Sequence, residues 1–234
     1  RPLYPREDFK GHLSHGGALQ GLMRMQTAPG LIQNRLDWVT PDLKVSSHGE
    51  ILYFVGCLPY FETFFSDLNV SLVKIAVDTV RILNSLGIEP VVLPDERCCG
   101  HDLIWTGDEE SFHKLRLFNI ESFKKAGIKT IITACGAGSY VLKNIYPDSS
   151  EPFPFEVMHL SEYLKMTGFA GGRSIDKIAT YQDPCRLGRF QGVYDAPREL
   201  LGEIVELREM PHFGPGAWCC GNSAWLNCDR YSKQ

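Results

Sequence analysis

The sequence predicts an α/β protein built from two similar strand-helix halves, each with a mainly parallel sheet. Three observations support this prediction. Short apolar segments alternate with amphipathic segments of helical period along most of the 234 residues. Cysteines follow directly after several of the apolar segments. The order of strand, cysteine, helix, strand and Cys-Cys-Gly also occurs twice, which indicates an internal duplication.

Residues 1–49 are predicted to be a connector that precedes both halves. The segment mixes Gly, Pro and Ser and has one short stretch of helical pattern, from Leu19 to Met25. This composition is typical of chain that packs on another part of a protein and has no core of its own.

The first repeat, residues 50–150, begins with the apolar segment ILYFVGC, which predicts a strand ending at Cys57. The next segment, LNVSLVKIAVDTVRILNSLG, predicts a helix that ends at Gly87. Four apolar residues recur along that helix at helical spacing: Val73, Val77, Val80 and Leu83.

The rest of the first repeat continues the alternation. The segment IEPVVLPDE predicts a second strand, which runs into Cys98, Cys99 and Gly100. DEESFHKLRLFNIESFKKAG predicts a helix with an acidic first turn and an end at Gly127. IKTIITA predicts a third strand, and Cys135 follows it and opens another helix.

The second repeat, residues 151–234, follows the Pro-rich break YPDSSEPFPFE. HLSEYLKMTG predicts a helix, and IDKIATYQDPC predicts a strand that ends at Cys185. APRELLGEI predicts a short helix and VELREM a strand, which leads to Cys219, Cys220 and Gly221.

The second repeat is expected to be incomplete at its C-terminal end. In the first repeat, Cys135 stands 36 positions after Cys99. The same step from Cys220 would reach about position 256, beyond Gln234. We therefore expect the natural polypeptide to continue through a helix and a strand to a further pair of cysteines.

The predicted topology places the cysteines of the first repeat together. Ligand sites of open parallel sheets lie at the carboxyl ends of the strands, because the loops of neighbouring strands meet there. Three loops would then bring four thiols to one place: Cys57, Cys98, Cys99 and Cys135.

Composition excludes several classes of function. A formal charge of −4 and a pI near 6.0 provide no basic surface for nucleic acid or an anionic membrane. The segment RPLYPREDFK lacks the apolar core of a signal peptide, and no apolar run is long enough to span a bilayer. We expect a cytoplasmic protein that reaches a membrane only through a partner.

Seven of the eight cysteines are predicted to bind a metal or a cluster rather than to form disulfides, which the cytosol would reduce. Zinc sites usually take two ligands from a C-x₂₋₄-C turn, whereas Cys98 and Cys99 have no spacer. This spacing favours an iron–sulfur cluster, with zinc as the alternative at the first site. Gly100 and Gly221, which have no Cβ, would let the backbone approach bulky inorganic sulfide.

These motifs resemble the CCG (cysteine-rich) domain family. The resemblance rests on the GC ending at Cys57, the CCG at 98–100, DPCRLGR at 183–189 and WCCG at 218–221, and it covers residues 50–228. The family includes the B and D subunits of heterodisulfide reductase and the iron–sulfur subunits of glycolate, lactate and anaerobic glycerol-3-phosphate oxidoreductases. DPCRLGR, YDAPRELL and CCGN are most similar to the D-type branch.

The resemblance implies noncubane [4Fe–4S] clusters held by a Cys, CC and CxxC motif. The implied ligands are Cys57, Cys98, Cys99 and Cys135 at the first site and Cys185, Cys219 and Cys220 at the second. Gly138 stands where the first CxxC would have its second thiol. We therefore expect the first site to hold a simpler cluster, zinc or no metal.

The function implied by the resemblance is that of an iron–sulfur subunit that passes electrons to a disulfide or a similar acceptor. Its partners would be a flavoprotein, a ferredoxin-like iron–sulfur subunit and a membrane-bound protein. Residues 1–49 would connect to a ferredoxin-like part. Two alternatives stay open, which are a non-catalytic electron-transfer subunit of a quinone-linked oxidoreductase and a zinc-bound structural module.

Four further residues have two interpretations each. His101 would protonate a leaving thiolate or ligate a metal, or simply cap its loop. Arg186 and Arg189 would bind an anionic substrate tail or form surface ion pairs. Cys228 has no counterpart in the first repeat and is interpreted as structural rather than as a ligand.

Overall fold

The computed structural model describes residues 13–147, 152–221 and 223–225. The chain forms two compact units. Unit 1 comprises Arg1–Ile128 together with Cys220–Gln234, and unit 2 comprises Lys129–Cys219. Unit 2 is therefore inserted, in sequence, between the two parts of unit 1.

Unit 1 contains most of the helices. In chain order its elements are α1 (Ala18–Met25), β1 (Ile51–Tyr53), α2 (Leu58–Phe64), α3 (Val73–Ser85), α4 (His101–Trp105) and α5 (Glu109–Ala126). Its core includes Leu52, Phe54 and Phe123, and the rings of Phe54 and Phe123 meet edge to face with centroids 6.1 Å apart.

The α3 helix is shorter than its predicted segment. It begins at Val73, because residues 66–68 form a separate 3₁₀ turn that ends at Asn69 in the left-handed region. Val80 and Leu83 are fully buried as the spacing predicts, whereas Val73 and Val77 are half-buried.

The α5 helix matches its prediction at both ends. The Asp108 carboxylate accepts a hydrogen bond from the Ser111 backbone N–H at 3.2 Å, which satisfies one of the N–H groups that a helix start leaves unpaired. At the other end Gly127 has a φ of 79°, a conformation that favours glycine.

The predicted second strand is reduced to two isolated parallel bridges, both made by Val91. Val91 bridges to Leu52 on one side and to Ser46 on the other, and its N–H and C=O bond to Ile51 and Tyr53. Prolines stand at positions 90 and 94, and proline has no N–H to donate to a ladder. The extended segment therefore ends before it can form a regular strand.

The described part of the predicted connector belongs to unit 1. Leu19, Met23, Trp38 and Leu43 are all buried there. The chain also returns to this region near its end, where Gln20 donates from Nε2 to the Ala224 carbonyl at 2.9 Å.

The returning segment is held by an aromatic cluster. The Trp225 ring lies with its centroid 5.7 Å from those of His15, Phe61 and Phe65. Ala224 and Trp225 have φ values of 50° and 57°, which non-glycine residues adopt only at a cost in free energy.

Unit 2 is built around two short parallel pairs. Its elements are β2 (Thr130–Thr133), α6 (Gly136–Tyr140), β3 (Glu156–His159), α7 (Leu160–Met166), β4 (Ile178–Ala179), α8 (Gly188–Gln191), α9 (Asp195–Gly202) and β5 (Glu206–Leu207). β2 pairs with β3 from Thr130↔Glu156 to Thr133↔His159, and β4 pairs with β5 over two residues. Every strand pair described within the two units is parallel, which confirms the predicted α/β class.

Two strand predictions in unit 2 need correction. β3 lies within and just beyond the segment interpreted as a Pro-rich break, because FEVMH follows the last proline and buries Val157. The strand predicted to run up to Cys185 is only Ile178–Ala179, so an irregular segment carries the chain on to the cysteine. Among the described residues, no helix is long and apolar enough to cross a membrane.

The repeat boundaries stay a prediction. The units divide at residues 128–129 and 219–220, whereas the predicted repeats occupy residues 50–150 and 151–234. A compact unit and a duplicated sequence segment need not have the same limits.

The first prediction concerns His159, which caps α7. Its Nδ1 accepts from the Ser161 N–H at 3.3 Å, and burial lowers the pKa of this partly buried ring below its ordinary value, although the nearby Glu162 charge opposes the shift. As the pH falls through about 6.5, His159 is protonated more readily in the unfolded chain than in the folded chain, and this difference destabilises the fold. We expect the Tm to fall between pH 7.5 and 5.5, and to fall less in His159→Asn, since asparagine also caps helices but does not titrate.

The matched control is the exposed His113. His113→Asn should keep the pH response of the unaltered chain. An equal response in His159→Asn and the unaltered chain would contradict the assignment.

Candidate metal centre

The first predicted ligand, Cys57, stands where β1 gives way to α2. It lies four positions after Tyr53, the last residue of β1, and Gly56 just before it has a φ of 70°. Cys57 occupies the N-cap position of α2, and Pro59 in the first turn favours the start of the helix there. The thiol is half-buried.

The Cys98–Cys99 turn lies against Cys57. Both thiols of the turn are buried, and Cys98 Sγ is 3.4 Å from Cys57 Sγ. The Gly100 backbone N–H also points at Cys98 Sγ, at 3.4 Å. Unit 1 thus brings three of the predicted ligands together, and one of them accepts a hydrogen bond from the backbone.

Gly100 is required at its position, although the contact that requires it was not foreseen. Its φ is 82°, and a Cβ added there would lie 2.7 Å from Cδ2 of Phe112 in α5. The described neighbour of the missing side chain is therefore an aromatic ring of the core. Gly221 has a similar φ, 80°.

Two amide side chains fix the backbone of this turn. Gln26 accepts from the Cys98 N–H through Oε1 at 2.8 Å. Asn119 accepts from the Arg97 N–H at 3.0 Å and donates to the carbonyls of Arg97 and Cys98, each at 3.2 Å. Gln26 and Asn119 are both buried, so these bonds are shielded from water.

A buried ion pair joins the Cys57 loop to the Cys98 turn. The Glu96 carboxylate accepts from the N–H groups of Val55 and Gly56, at 3.1 and 2.8 Å. Arg35 donates to the carbonyl of Gly56 and, at 2.5 Å, to that of Glu96. Burial raises the pKa of Glu96 to about 7, against the lowering effect of Arg35 and the two N–H groups.

The three thiols differ in acidity. Hydrogen bonds from the thiols of Cys57 and Cys99 hold the pKa of Cys98 well below its ordinary value, and the Gly100 N–H and the Arg35 charge act in the same direction. The hydrogen bond to Cys98, together with burial, raises the pKa of Cys57. Cys98 therefore ionises before Cys57, and a thiolate is the form that binds metals.

Cys135 belongs to unit 2 and follows β2 as predicted. It caps α6, since its Sγ accepts from the Gly138 N–H at 3.3 Å, and its own N–H bonds to Thr133 Oγ1 at the same distance. The thiol is exposed. Gly138, which stands where a further thiol was expected, thus provides a hydrogen bond to sulfur.

The Cys185 segment is fixed by an ion pair between the buried Asp183 and the partly buried Arg198. Asp183 accepts from both terminal nitrogens of Arg198, at 2.6 and 2.7 Å, and from the Gly214 N–H at 2.6 Å. Arg198 holds the pKa of Asp183 below its ordinary value. The pair joins the segment before Cys185 to the loop before Cys219, within unit 2.

The two arginines near Cys185 have described contacts within unit 2. Arg189 donates to the Ala217 carbonyl at 2.5 Å, and the Arg186 guanidinium lies 4.4 Å from the centroid of the Phe190 ring. Trp218, beside Cys219, stacks on His212 with centroids 4.3 Å apart and is 72% exposed. Its exposure leaves an aromatic surface next to this cysteine pair.

The predicted ligands thus fall into three groups. Cys57, Cys98 and Cys99 are gathered in unit 1, Cys135, Cys185 and Cys219 belong to unit 2, and Cys220 begins the second part of unit 1. None of the seven described cysteines forms a disulfide. Among the described residues, no group of three or more His, Cys, Asp and Glu side chains is arranged to hold a metal ion. Cys228 lies outside the described residues.

Sequence reasoning missed four residues of this site, Gln26, Arg35, Glu96 and Asn119, and it left His101 open. Gln26 and Arg35 lie in the predicted connector, and Glu96 precedes the cysteine turn. No sequence signal marked Arg35 or Glu96, because Arg35 follows Asn34 and Glu96 stands between Asp95 and Arg97, and charged residues in polar sequence are usually exposed. His101 Nδ1 lies 2.6 Å from the Asp102 carboxylate.

Comparison with known proteins identifies the class. The sequence profile of the CCG family, described as "Cysteine-rich domain", matches residues 51–143 and 179–232, more than half of the chain. The chain therefore belongs to the cysteine-rich CCG domain family. The two matched segments lie within the two predicted repeats.

Individual relatives are redox proteins. The chain is 36% identical over 200 residues to the D-type subunit of the dihydromethanophenazine:CoB–CoM heterodisulfide reductase of Methanosarcina mazei, a match that covers 81% of the chain and 47% of the relative. It is 34% identical over 181 residues to the EtfAB:quinone oxidoreductase of Syntrophomonas wolfei (74% and 24%). It is 33% identical over 184 residues to the probable iron–sulfur-binding oxidoreductase FadF of Bacillus subtilis (76% and 25%).

The chain spans about half the length of the heterodisulfide reductase subunits it matches and less of the other two relatives. No solved structure matches it.

The second prediction tests the packing of the cysteine turn. Gly100→Ala places an alanine in the left-handed backbone region and brings its Cβ into a clash with Phe112. Gly87→Ala has the same backbone strain, at a φ of 76°, but no atom lies within 4 Å of its Cβ. We expect a loss of about 1 kcal/mol in the free energy of unfolding for Gly87→Ala and at least about 2 kcal/mol for Gly100→Ala. Urea denaturation of both variants without bound metal measures the difference. Equal losses would show that Phe112 moves aside at no cost.

Proposed function

We propose that this chain is the cysteine-rich part of an iron–sulfur electron-transfer subunit of a heterodisulfide reductase-like oxidoreductase. The observation that carries the proposal is the buried cluster of Cys57, Cys98 and Cys99 with its acidified central thiol. Family membership and the names of the relatives support the interpretation of these cysteines as ligands of an iron–sulfur cluster.

The residues fit an iron–sulfur cluster better than most other cofactors. The donors are thiolates, the ligands that iron–sulfur clusters take. Backbone N–H groups of Gly100 and Gly138 point at two of the sulfurs, and such bonds tune the reduction potential of a cluster. Cys57, Cys98 and Cys99 would hold the first cluster, and Cys135 is its further predicted ligand.

A bound cluster would supply one-electron transfer. The chain's own residues bury Cys98 and Cys99 and favour the ionised form of Cys98. They also hold the two loops that carry Cys57 and Cys98 at a fixed separation. The noncubane [4Fe–4S] type is proposed from the family motif, and zinc at the first site is the alternative.

The second set of cysteines is proposed as the place where an acceptor is reduced. Cys219 and Cys220 are exposed, whereas Cys98 and Cys99 are buried. A buried centre suits relay of electrons, and an exposed one suits reaction with a substrate. For a disulfide acceptor, two electrons and two protons would convert one disulfide bond into two thiols.

A second candidate function is electron transfer without a disulfide substrate. The likeness to an EtfAB:quinone oxidoreductase supports it, since that name joins a flavoprotein to a quinone. The proposed partners in either case are flavoprotein and ferredoxin-like iron–sulfur subunits, with a membrane-bound protein as a further partner. The proposed location is the cytoplasm.

The third prediction tests the cofactor. The natural polypeptide that carries this chain, purified without oxygen, should contain iron and acid-labile sulfide and absorb in the visible region. Cys98→Ser should lose the iron of one cluster and keep the rest, because it removes a ligand of only one cluster. Cys228→Ser, at the cysteine interpreted as structural, should keep its iron.

Zinc without sulfide in the unaltered protein would overturn the proposal. So would an unchanged iron content in Cys98→Ser.

The fourth prediction separates the two candidate functions. A chemically reduced dye is supplied with a small organic disulfide, and the released thiol is measured. We expect turnover in the unaltered protein and its loss in Cys219→Ser, while the Arg208→Gln variant, with an exposed arginine in unit 2, should remain active. Absence of turnover in a protein with its full iron content would favour the quinone-linked function.

A further inference from the structure

The N-terminal segment contributes directly to the first cysteine site. Gln26 and Arg35 both precede residue 51, where the family match begins, so that match assigns them no role. Both are nonetheless buried against the cysteine turn. We propose that Arg35 is a positioning residue that clamps the two loops of the first site and supplies the positive charge that raises the reduction potential of the cluster bound there. This inference rests on the proposed function.

The clamp follows from the hydrogen bonds of one side chain. The Arg35 guanidinium donates to the carbonyl of Gly56, one residue before Cys57, and to that of Glu96, two residues before Cys98. A single rigid fork therefore spans both loops, which lysine with its one ammonium group would not reproduce. Gln33 adds a bond from Nε2 to the same Glu96 carbonyl, at 2.9 Å.

The charge argument depends on burial. The Arg35 side chain is 5% exposed, so water screens its field only weakly. Its Nη1 and Nη2 atoms bond to the carbonyls two residues before Cys98 and one residue before Cys57, so the charge lies beside both loops that carry these ligands. A cluster gains negative charge when it is reduced, and a nearby positive charge stabilises that state and raises the potential.

The other described charged residues near the thiols are Glu96, Arg97 and Asp102, and each of them has a partner. Glu96 opposes Arg35, with Oε1 and Nη1 3.4 Å apart. Arg97 is paired with Asp95 at 3.0 Å. Asp102 acts on Cys57 from α4 and is paired with His101 at 2.6 Å. Arg35 and Glu96 are therefore the two charges to substitute. Neutralising each of them changes the charge beside the thiols in the opposite direction.

The experiment uses the full natural polypeptide, purified without oxygen, and measures iron, sulfide and the midpoint potential by a redox titration followed by electron paramagnetic resonance at pH 8. Arg35→Gln should lower cluster affinity about tenfold or more and shift the potential of the remaining cluster to more negative values. Arg35→Lys keeps the charge but loses the fork, so its loading should fall while its potential stays near that of the unaltered protein.

Two further variants make the test specific. Glu96→Gln removes the opposing charge and should shift the potential to more positive values. A structural disturbance alone would shift Arg35→Gln and Glu96→Gln in the same direction. Arg81→Gln, at an arginine whose side chain is 54% exposed in the same unit, should change neither loading nor potential.

If Arg35→Gln proves too unstable to load, Gln26→Glu provides the same information. The glutamate keeps the acceptor for the Cys98 N–H but adds a negative charge, so we expect a more negative potential. Potentials that stay unchanged in Glu96→Gln and Gln26→Glu, in protein that is loaded with its cluster, would overturn the inference and leave the proposed function standing. An unaltered protein without any cluster would overturn both.

Discussion

The geometry of the first cysteine site depends on one buried ion pair. A buried arginine and a buried glutamate are costly to take out of water, and such a pair stabilises a fold only when each partner keeps its other hydrogen bonds. Arg35 and Glu96 meet most of this condition, since two backbone N–H groups bond to the carboxylate and two backbone carbonyls to the guanidinium, and Arg35 Nε alone of these groups has no hydrogen-bond partner among the described residues. The groups that satisfy the pair all come from the loops before Cys57 and Cys98. Burying the two charges therefore fixes the distance between two thiols.

The sequence predicted the elements whose signals are local. The α5 helix has an N-cap, an acidic first turn and a closing glycine, and all three are visible in DEESFHKLRLFNIESFKKAG, which runs from Asp108 to Gly127. Cys135 after β2 was likewise predictable, because an apolar run stops there and a small-residue turn follows. The pairing of Cys135 with the cysteines of unit 1 stays a prediction, since it is a relation between units.

The long-range contacts could not be predicted from the sequence. Arg35 and Glu96 are 61 positions apart, and neither lies in a motif, so nothing in the spacing couples them. The strand predicted around Val91 did not form as a regular strand because the prolines at 90 and 94 limit the ladder, and that signal was present in the sequence. Gly100 was predicted to let the backbone approach inorganic sulfide, which stays a prediction, whereas its positive φ and the ring of Phe112 beside it were not foreseen.

The return of the chain to unit 1 has a consequence for the order of folding. Gln20 and Ala224 are 204 positions apart, so their contact closes a loop that contains nearly the whole chain. During synthesis, residues 13–128 leave the ribosome long before the segment that carries Trp225. Until that segment is made, unit 1 is incomplete, and the rings of Phe61 and Phe65 lack their contacts with Trp225. All residues of unit 2 are made before unit 1 is complete. Unit 2 would then fold before unit 1 is complete. The thiols of unit 1, although made first, would be the last to be enclosed by all their neighbours.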